Sequence, residues 1–261
     1  MTYTLLNADC FEALPTLAEK SVDLVLVDLP YGCTFCSWDI KLNLQRMWVE
    51  LKRVCKRECV YVFFCTTRYG YELIESNKRW FSYDLVWPKS KYGGYLTAKK
   101  APMRLHEMIY VFRRPEGKCT YNPQMRPGGR IYPARTLPDS TNGLYPRNTK
   151  CTYGNATGER YPNSVLQFNN PAKRHGHPTE KPLDLCTWLI KTYSNEGDCV
   201  LDFTMGSGTT VEAALCCARR CIGIEKDPAI FAVAEKRIRD MEETSTFTDF
   251  EDPSVSLFTS S

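Results

Sequence analysis

Residues 200–214 read VLDFTMGSGTTVEAA: a short apolar run closed by Asp202, a Gly206-Ser207-Gly208 loop, and a stretch of helix-forming residues. Strand, glycine loop and helix in that order form a nucleotide-type half fold. The glycines let the backbone turn tightly and approach a ligand, and the helix start offers free N–H groups with a partial positive charge. The next apolar run, CIGIE over 221–225, ends on Glu225, 23 residues after Asp202. An acid at that distance can accept hydrogen bonds from both hydroxyls of a ribose. The other reading of the same residues is a plain strand-to-helix turn with no ligand.

A dinucleotide-binding loop requires a third small residue three positions after Gly208, and Val211 stands there. That, with Asp202 opening the pattern, argues against a pyrophosphate cofactor and for a nucleoside without phosphates, such as S-adenosylmethionine. Working outward, the spacing predicts strands over TYTLLNAD (2–9), VDLVLVD (22–28), ECVYVFFCT (58–66), FSYDLVWPKS (81–90), HEMIYVFRR (106–114), DCVLDF (198–203) and RCIGIE (220–225). Helices fall between them. The clearest is LQRMWVELKRVCK, where Leu44, Met47, Trp48, Leu51 and Val54 share one face. Asn195 and Gly197 are placed to stop another, and Pro228 to start the last. Strands alternating with helices predict an α/β fold, a mostly parallel sheet covered on both faces.

A second stretch raises its own question. VDLPYG, residues 27–32, stops a buried strand on an acid, a rigid imino acid, an aromatic ring and a glycine. Taken alone it is a turn, because Pro and Gly punctuate chains and Asp often precedes them.

Composition bounds the possibilities. Apolar residues at 43% and charged residues at 25% suit a globular protein with a real core. No apolar run approaches the roughly 20 residues that span a bilayer, and MTYTLLNADC lacks the basic head and apolar block of a signal peptide. A cytoplasmic protein is expected, or a nuclear one in a eukaryotic host. Thirteen cysteines, an odd number with several inside apolar runs, read as small buried hydrophobes rather than a disulfide framework. Cys33 and Cys36 form one CxxC with no second pair, and His106, His175 and His177 are scattered, so no metal site is expected.

Charge is uneven. The overall balance of +4 conceals residues 86–175, which hold sixteen Lys and Arg against four acids, a net of +12 with −8 on the flanks. This segment is also rich in Tyr, Pro, Asn and Gly, an irregular stretch of basic residues interleaved with aromatics that suits phosphate neutralisation and base contacts. The same composition also fits a solvated basic loop without a partner. Lys89, Lys99, Lys100, Arg104, Arg126 and Arg130 are its candidate DNA contacts. The expected organisation is a main α/β domain over 1–90 and 174–243, a basic insert over 91–173 suited to nucleic-acid contacts, and a flexible tail over 244–261.

Five segments in one order resemble the β group of DNA amino-methyltransferases, most closely its short phage-type members, over roughly residues 3–240. LLNADCFEAL is similar to the acidic turn that touches the adenine of the cofactor. VDLPYGCTFCSWD is similar to the catalytic (D/N/S)PPY-type segment, and HPTEKPLDL to the Thr-Glu-Lys-Pro helix entry. VLDFTMGSGTT is similar to the glycine loop, and IGIEKD to the ribose-binding acid. The resemblance implies a Rossmann-like fold in permuted order, S-adenosyl-L-methionine as cofactor, and duplex DNA as substrate with the target base flipped out. It is compatible with a homodimer and with a cognate restriction enzyme.

It further implies that Asp28 and the Leu29 carbonyl accept both N–H groups of an exocyclic amine, that Pro30 stiffens the turn, and that Tyr31 stacks on the base. Asp9 would contact the cofactor's adenine, Glu225 the ribose, and Thr179 and Lys181 the carboxylate. Asp202, Thr204, Gly206, Ser207, Gly208 and Thr209 complete the cofactor site. Asp9 also reads as a helix N-cap, Trp38 and Trp87 as packing residues, and His175 and His177 as shaping the loop before Thr179. Leu29 departs from the family, which more often carries proline there; acting through its carbonyl, leucine can do the same work. Asp28 favours adenine N6 over cytosine N4. The competing readings are an N4-cytosine enzyme, a catalytically inactive DNA-binding protein on this scaffold, and an RNA methyltransferase.

Overall fold

The computed structural model describes residues 2–32, 41–93, 95–136, 152–171 and 180–248. Contacts divide the chain into one unit of Met1–Asn122 with Ser164–Ser261 and a second of Pro123–Asn163. The first unit holds strands β1 (Tyr3–Asn7), β2 (Val22–Asp28), β3 (Cys55–Cys65), β4 (Phe81–Gly93) and β5 (Arg104–Arg113). The second holds β6 (Tyr132–Thr136) and β7 (Thr152–Asn155), an antiparallel pair. The first unit resumes with β8 (Cys199–Asp202) and β9 (Arg220–Glu225). Its helices are α1 (Cys10–Ala13), α2 (Leu44–Val54), α3 (Thr67–Ser76), α4 (Leu183–Tyr193), α5 (Thr209–Cys216) and α6 (Pro228–Thr248).

Among the described residues seven strands form one sheet in the order β1-β9-β8-β2-β3-β5-β4. Neighbours from β1 to β3 are parallel, and β5 runs antiparallel to both β3 and β4. The sheet is α/β and mostly parallel, as the alternation of elements predicts. Side chains of successive strand residues point to opposite faces, and both faces are buried. Leu24 and Leu26 of β2 pack with Leu185, Leu189, Val211 and Ile238 from α4, α5 and α6. Val25 and Val27 pack with Met47, Trp48, Leu51 and Leu73 from α2 and α3. The apolar stripe read from LQRMWVELKRVCK is thus the inner face of α2, which Asn43 caps by accepting the Arg46 N–H at 3.0 Å.

One topological detail positions everything that follows. β2 and β8 are adjacent and parallel, with Leu24 opposite Val200 and Val25 opposite Leu201. The chain leaves β8 through α5 towards β9 on one side, and leaves β2 through α2 towards β3 on the other. Where crossovers diverge in this way a crevice opens at the carboxyl ends of the strands, a ligand site in open α/β sheets.

Two expected boundaries differ. Within 91–173, Arg104–Arg113 is β5 of the main sheet, because its run LHEMIYVF is apolar enough to be covered, and only Pro123–Asn163 forms the second unit. Helix α6 also runs past Glu243 to Thr248. No helix among the described residues is long and apolar enough to cross a membrane.

At the end of β2, Leu29 is 2% exposed and packs in the cluster that contains Val27, Tyr69 and Leu73. Leu29→Ala is expected to lower unfolding free energy by about 3 kcal/mol, typical of a buried Leu→Ala truncation. Urea denaturation checks it; an unchanged midpoint would show that this side chain does not anchor the turn.

Candidate active site

A cavity of about 220 Å³ opens at the carboxyl ends of β1, β2, β8 and β9. Asp9, Asp28, Leu29, Pro30 and Tyr31 line it from one set of loops, and Asp202, Thr204, Gly206, Ser207, Thr209 and Glu225 from the other. Glu107, Glu180 and Lys181 also reach it.

The glycine loop is built to stay open. Gly206 has φ +54° and Gly208 φ +81°, both in the left-handed region that favours glycine. A Cβ on Gly206 would meet no atom within 4 Å, while one on Gly208 would press on the Ala234 Cβ at 3.1 Å. Gly208 is also the N-cap of α5. The Glu225 carboxylate spans the loop: Gly206 N–H donates to Oε2 at 3.1 Å and Asp227 N–H to Oε1 at 2.9 Å. Asp9 caps α1, accepting the Phe11 N–H at 2.8 Å, so the N-cap and cavity-lining readings of this residue hold together.

Behind the loop lies a residue that reading the sequence missed. Arg237 on α6 is buried; its Nη1 donates to Glu180 Oε1 at 2.6 Å and to Thr209 Oγ1 at 2.9 Å, and its Nε pairs with Glu212. One guanidinium thereby ties the Glu180 segment, the loop, α5 and α6 together. The signal was its place between Ala234 and Ile238, both fully buried, on the inward stripe of α6.

The VDLPYG turn sits opposite. Asp28 Oδ1 accepts the Tyr31 hydroxyl at 2.9 Å, and Oδ2 is ion-paired with Lys181. Thr204 Oγ1 donates to the Asp28 carbonyl at 2.9 Å, a direct tie between the glycine loop and the turn. The Leu29 carbonyl has no hydrogen-bond partner among the described residues. The Leu29 side chain packs inward, so leucine supplies an apolar anchor as well as the carbonyl. Tyr31 lies 6.0 Å from the ring of Tyr69.

Lys181, expected at the cofactor carboxylate, is buried between two protein acids: Asp28, and Glu107 at 3.5 Å. Glu107, also missed, is the one acid of strand β5, and it pairs outward with Lys89. The Lys181 ammonium also stands 5.2 Å over the Phe64 ring. Burial pushes the Asp28 carboxyl up, Lys181 pulls it partly back, and Glu107 adds to the rise; it ends above the ordinary value. Burial also acts against charge on Glu107, but Lys181 and Lys89 outweigh it and hold that carboxyl low. Burial disfavours the Lys181 cation, yet Asp28 and Glu107 prevail and raise it. The three groups therefore sit as acid, cation, acid.

Of the candidate DNA contacts, Lys89 is half-buried on Glu107. Lys99, Lys100, Arg126 and Arg130 are exposed, and Arg104, exposed at the start of β5, donates to Thr67 Oγ1 at 3.3 Å. Thr179, Cys33, Cys36, Trp38, His175 and His177 lie outside the described residues. Trp87 is buried and donates its indole N–H to the Phe168 carbonyl at 2.8 Å, a packing role. Among the described residues no cluster of His, Cys, Asp or Glu is arranged to hold a metal ion.

A permuted α/β sheet with a glycine loop and an Asp-Leu-Pro-Tyr turn facing one crevice defines a methyltransferase-like class of protein. The chain belongs to the N6/N4 DNA methylase family, whose model matches residues 22–236. It is 25% identical to the Type II methyltransferase M.HinfI of Haemophilus influenzae, over 92% of this chain and 69% of that protein. To the DNA adenine methyltransferase YhdJ of Escherichia coli it is 26% identical, over 90% and 82%. In fold it is similar to the M1.HpyAVI–SAM complex, with 24% identity, TM-score 0.61, and coverage of 90% of this chain and 100% of that one. It is equally similar to the cytosine-N4-specific PvuII DNA methyltransferase, with 16% identity, TM-score 0.63, and coverage of 93% and 92%.

Burial pushes the Asp202 carboxyl up to about 7, against the Thr210 side chain and the Thr204 N–H, which donate to it. A raised folded-state value means the native state holds the proton more tightly than the unfolded chain. The stabilisation is full below the ordinary carboxylate range and is lost as pH rises through about 7. Thermal unfolding of ligand-free protein from about pH 5 to about pH 9 is expected to show a fall that is absent in Asp202→Asn. Parallel curves for the two proteins would contradict the burial of this charge.

Proposed function

We infer that this protein transfers a methyl group from S-adenosyl-L-methionine to the exocyclic N6 amine of adenine in duplex DNA. The observation that carries the reading is that Asp28 and Leu29, whose carbonyl has no hydrogen-bond partner among the described residues, line one cavity with the glycine loop and are tied to it by the Thr204–Asp28 bond.

The residues present fit the cofactor. Asp9 and Glu225 line the part of the cavity where β1 and β9 end, suited to the adenine and the ribose. The open side of Gly206 leaves backbone and space for the chain of the ligand. When bound, the sulfonium supplies an activated methyl group. Everything else is done by the protein.

An exocyclic amine on an aromatic base is a weak nucleophile, because its lone pair is delocalised into the ring. Two acceptors aimed at its N–H groups favour a pyramidal nitrogen as attack develops, and Pro30 holds both in place beforehand. Lys181 keeps Asp28 ionised in a buried site where an unpaired charge would otherwise be costly. Asp28 then takes a proton from the nitrogen once it carries the methyl group. Its raised basicity suits that late step. The amine is out of reach inside a stacked duplex, so the base must swing out, and Tyr31 offers a ring on which it stacks. The Tyr31 hydroxyl donates to Asp28 Oδ1, so base entry displaces or shares that hydrogen bond. The exposed cations Lys99, Lys100, Arg104, Arg126 and Arg130 are suited to phosphate contacts. An aspartate rather than a serine at position 28 supports adenine over cytosine. A homodimer and a cognate restriction enzyme fit the same reading.

Asp28→Ala is expected to abolish labelled methyl incorporation into duplex DNA while leaving cofactor affinity, measured by calorimetry, within about threefold. Loss of cofactor binding would contradict this division of roles. Replacing Arg126 and Arg130 together by Gln is expected to weaken DNA binding and to reduce the salt slope by about 2, near 0.9 per phosphate contact. An unchanged slope would remove both from the phosphate contacts.

A further inference from the structure

We propose that Glu107 is a positioning residue for Asp28: by drawing the Lys181 ammonium between two carboxylates, it keeps Asp28 free to accept the proton of the target amine. The proposal rests on the methyl-transfer reading above, but its physical core, the sharing of one cation by two acids, can be measured without any turnover.

The geometry is specific. Glu107 lies on β5, two strands from β2, yet its carboxylate reaches the same cavity as Asp28. Oε1 pairs with Lys89, and Oε2 stands 3.5 Å from the Lys181 ammonium. That second oxygen is buried and makes no hydrogen bond among the described residues. It is close enough to attract the ammonium and too far to hold it. Lys181 in turn is 8% exposed at its side chain and has Asp28 Oδ2 as its near partner.

Were Asp28 the sole partner of Lys181, the ammonium would neutralise it fully and blunt it as an acceptor. Glu107 counters this in two ways. It draws on the cation, and its own negative charge disfavours charge on Asp28. The step served is simple in its balance. The N–H bond of the methylated, positively charged amine breaks, its electron pair stays on nitrogen, and the proton moves to the Asp28 carboxylate. Lys181 remains protonated throughout. Groups facing the cluster come from each neighbouring element: Lys89 from β4, Tyr31 from the turn, Cys65 from the end of β3, Cys186 from α4 and Asp202 from β8. Of these, Lys89 bears most directly on Glu107 and tunes how strongly Glu107 acts.

The test is a carboxyl-carbon NMR titration of Asp28, assigned by the signal missing in Asp28→Asn, in the full-length protein and two variants. Glu107→Gln removes the competing charge, so the Asp28 midpoint is expected to move to lower pH. Lys89→Gln strips Glu107 of its neutralising partner, so the midpoint is expected to move to higher pH. Opposite shifts are the signature of shared charge, and a merely structural loss in both variants would not produce them. Midpoints that stay put in both variants, or move the same way, would overturn the proposal, whatever the activity. In turnover, Glu107→Gln is expected to lower kcat about tenfold, a modest part of what a proton acceptor contributes. It should shift the acid limb of kcat to lower pH and leave cofactor affinity unchanged, with Glu107→Asp recovering part of the rate. A variant whose main loss is in cofactor binding would overturn it too. Absence of methyl transfer by the wild-type protein would count against the proposed function alone, since the titration is read without turnover.

Discussion

The parallel pairing of β2 with β8 is the constraint on which the rest depends. Their crossovers leave in opposite directions, so the loops after Asp28 and after Asp202 face each other across a gap that neither helix fills. In the chain these loops are separated by most of its length. In the sheet they are neighbours, joined by the Thr204 hydroxyl on the Asp28 carbonyl. Both strands are buried on both faces, so a slip of one residue would turn apolar side chains out of their clusters. Packing therefore fixes the register, and the register fixes the distance between the glycine loop and the turn after Asp28.

The crevice is held by buried charge as much as by apolar packing. Lys181 stands between Asp28 and Glu107, and Arg237 between Glu180 and Glu212. Buried ion pairs are weak evidence for stability, because desolvation offsets much of their attraction. Their positions are better explained by what they orient. Arg237 fixes the back of the glycine loop, and Lys181 fixes the state of the acid at the turn. Consecutive residues, Glu180 and Lys181, serve the two clusters. The segment that enters α4 thus couples the wall of the cavity at the glycine loop to the Asp28 carboxylate.

Much of this was legible in the chain. The strands follow from apolar runs such as VDLVLVD, the helices from stripes such as that of α2, and the glycine loop from Gly206 and Gly208, whose positive φ angles other residues rarely adopt. Asp9, Asp28, Lys181 and Glu225 were singled out by local motifs, and all four reach one cavity. What escaped is what local patterns do not carry. Glu107 counted as one acid in a basic segment, because only the antiparallel insertion of β5 beside β3 brings it to the crevice. Arg237 is one of several charges on a long helix, and only the packing of its inward face against the glycine loop sets it apart. The extent of the basic region misled for a related reason. Its charge is continuous from 86 to 175, but charge on a strand's ends does not keep the apolar middle of β5 out of the sheet.

The most direct measurement of the central claim is single-molecule sequencing of DNA from cells that express the protein, compared with cells expressing an inactive variant. N6-methyladenine within one short recurring sequence, present only with the active protein, is the predicted result. N4-methylcytosine in its place, or no modified base at all, would contradict it.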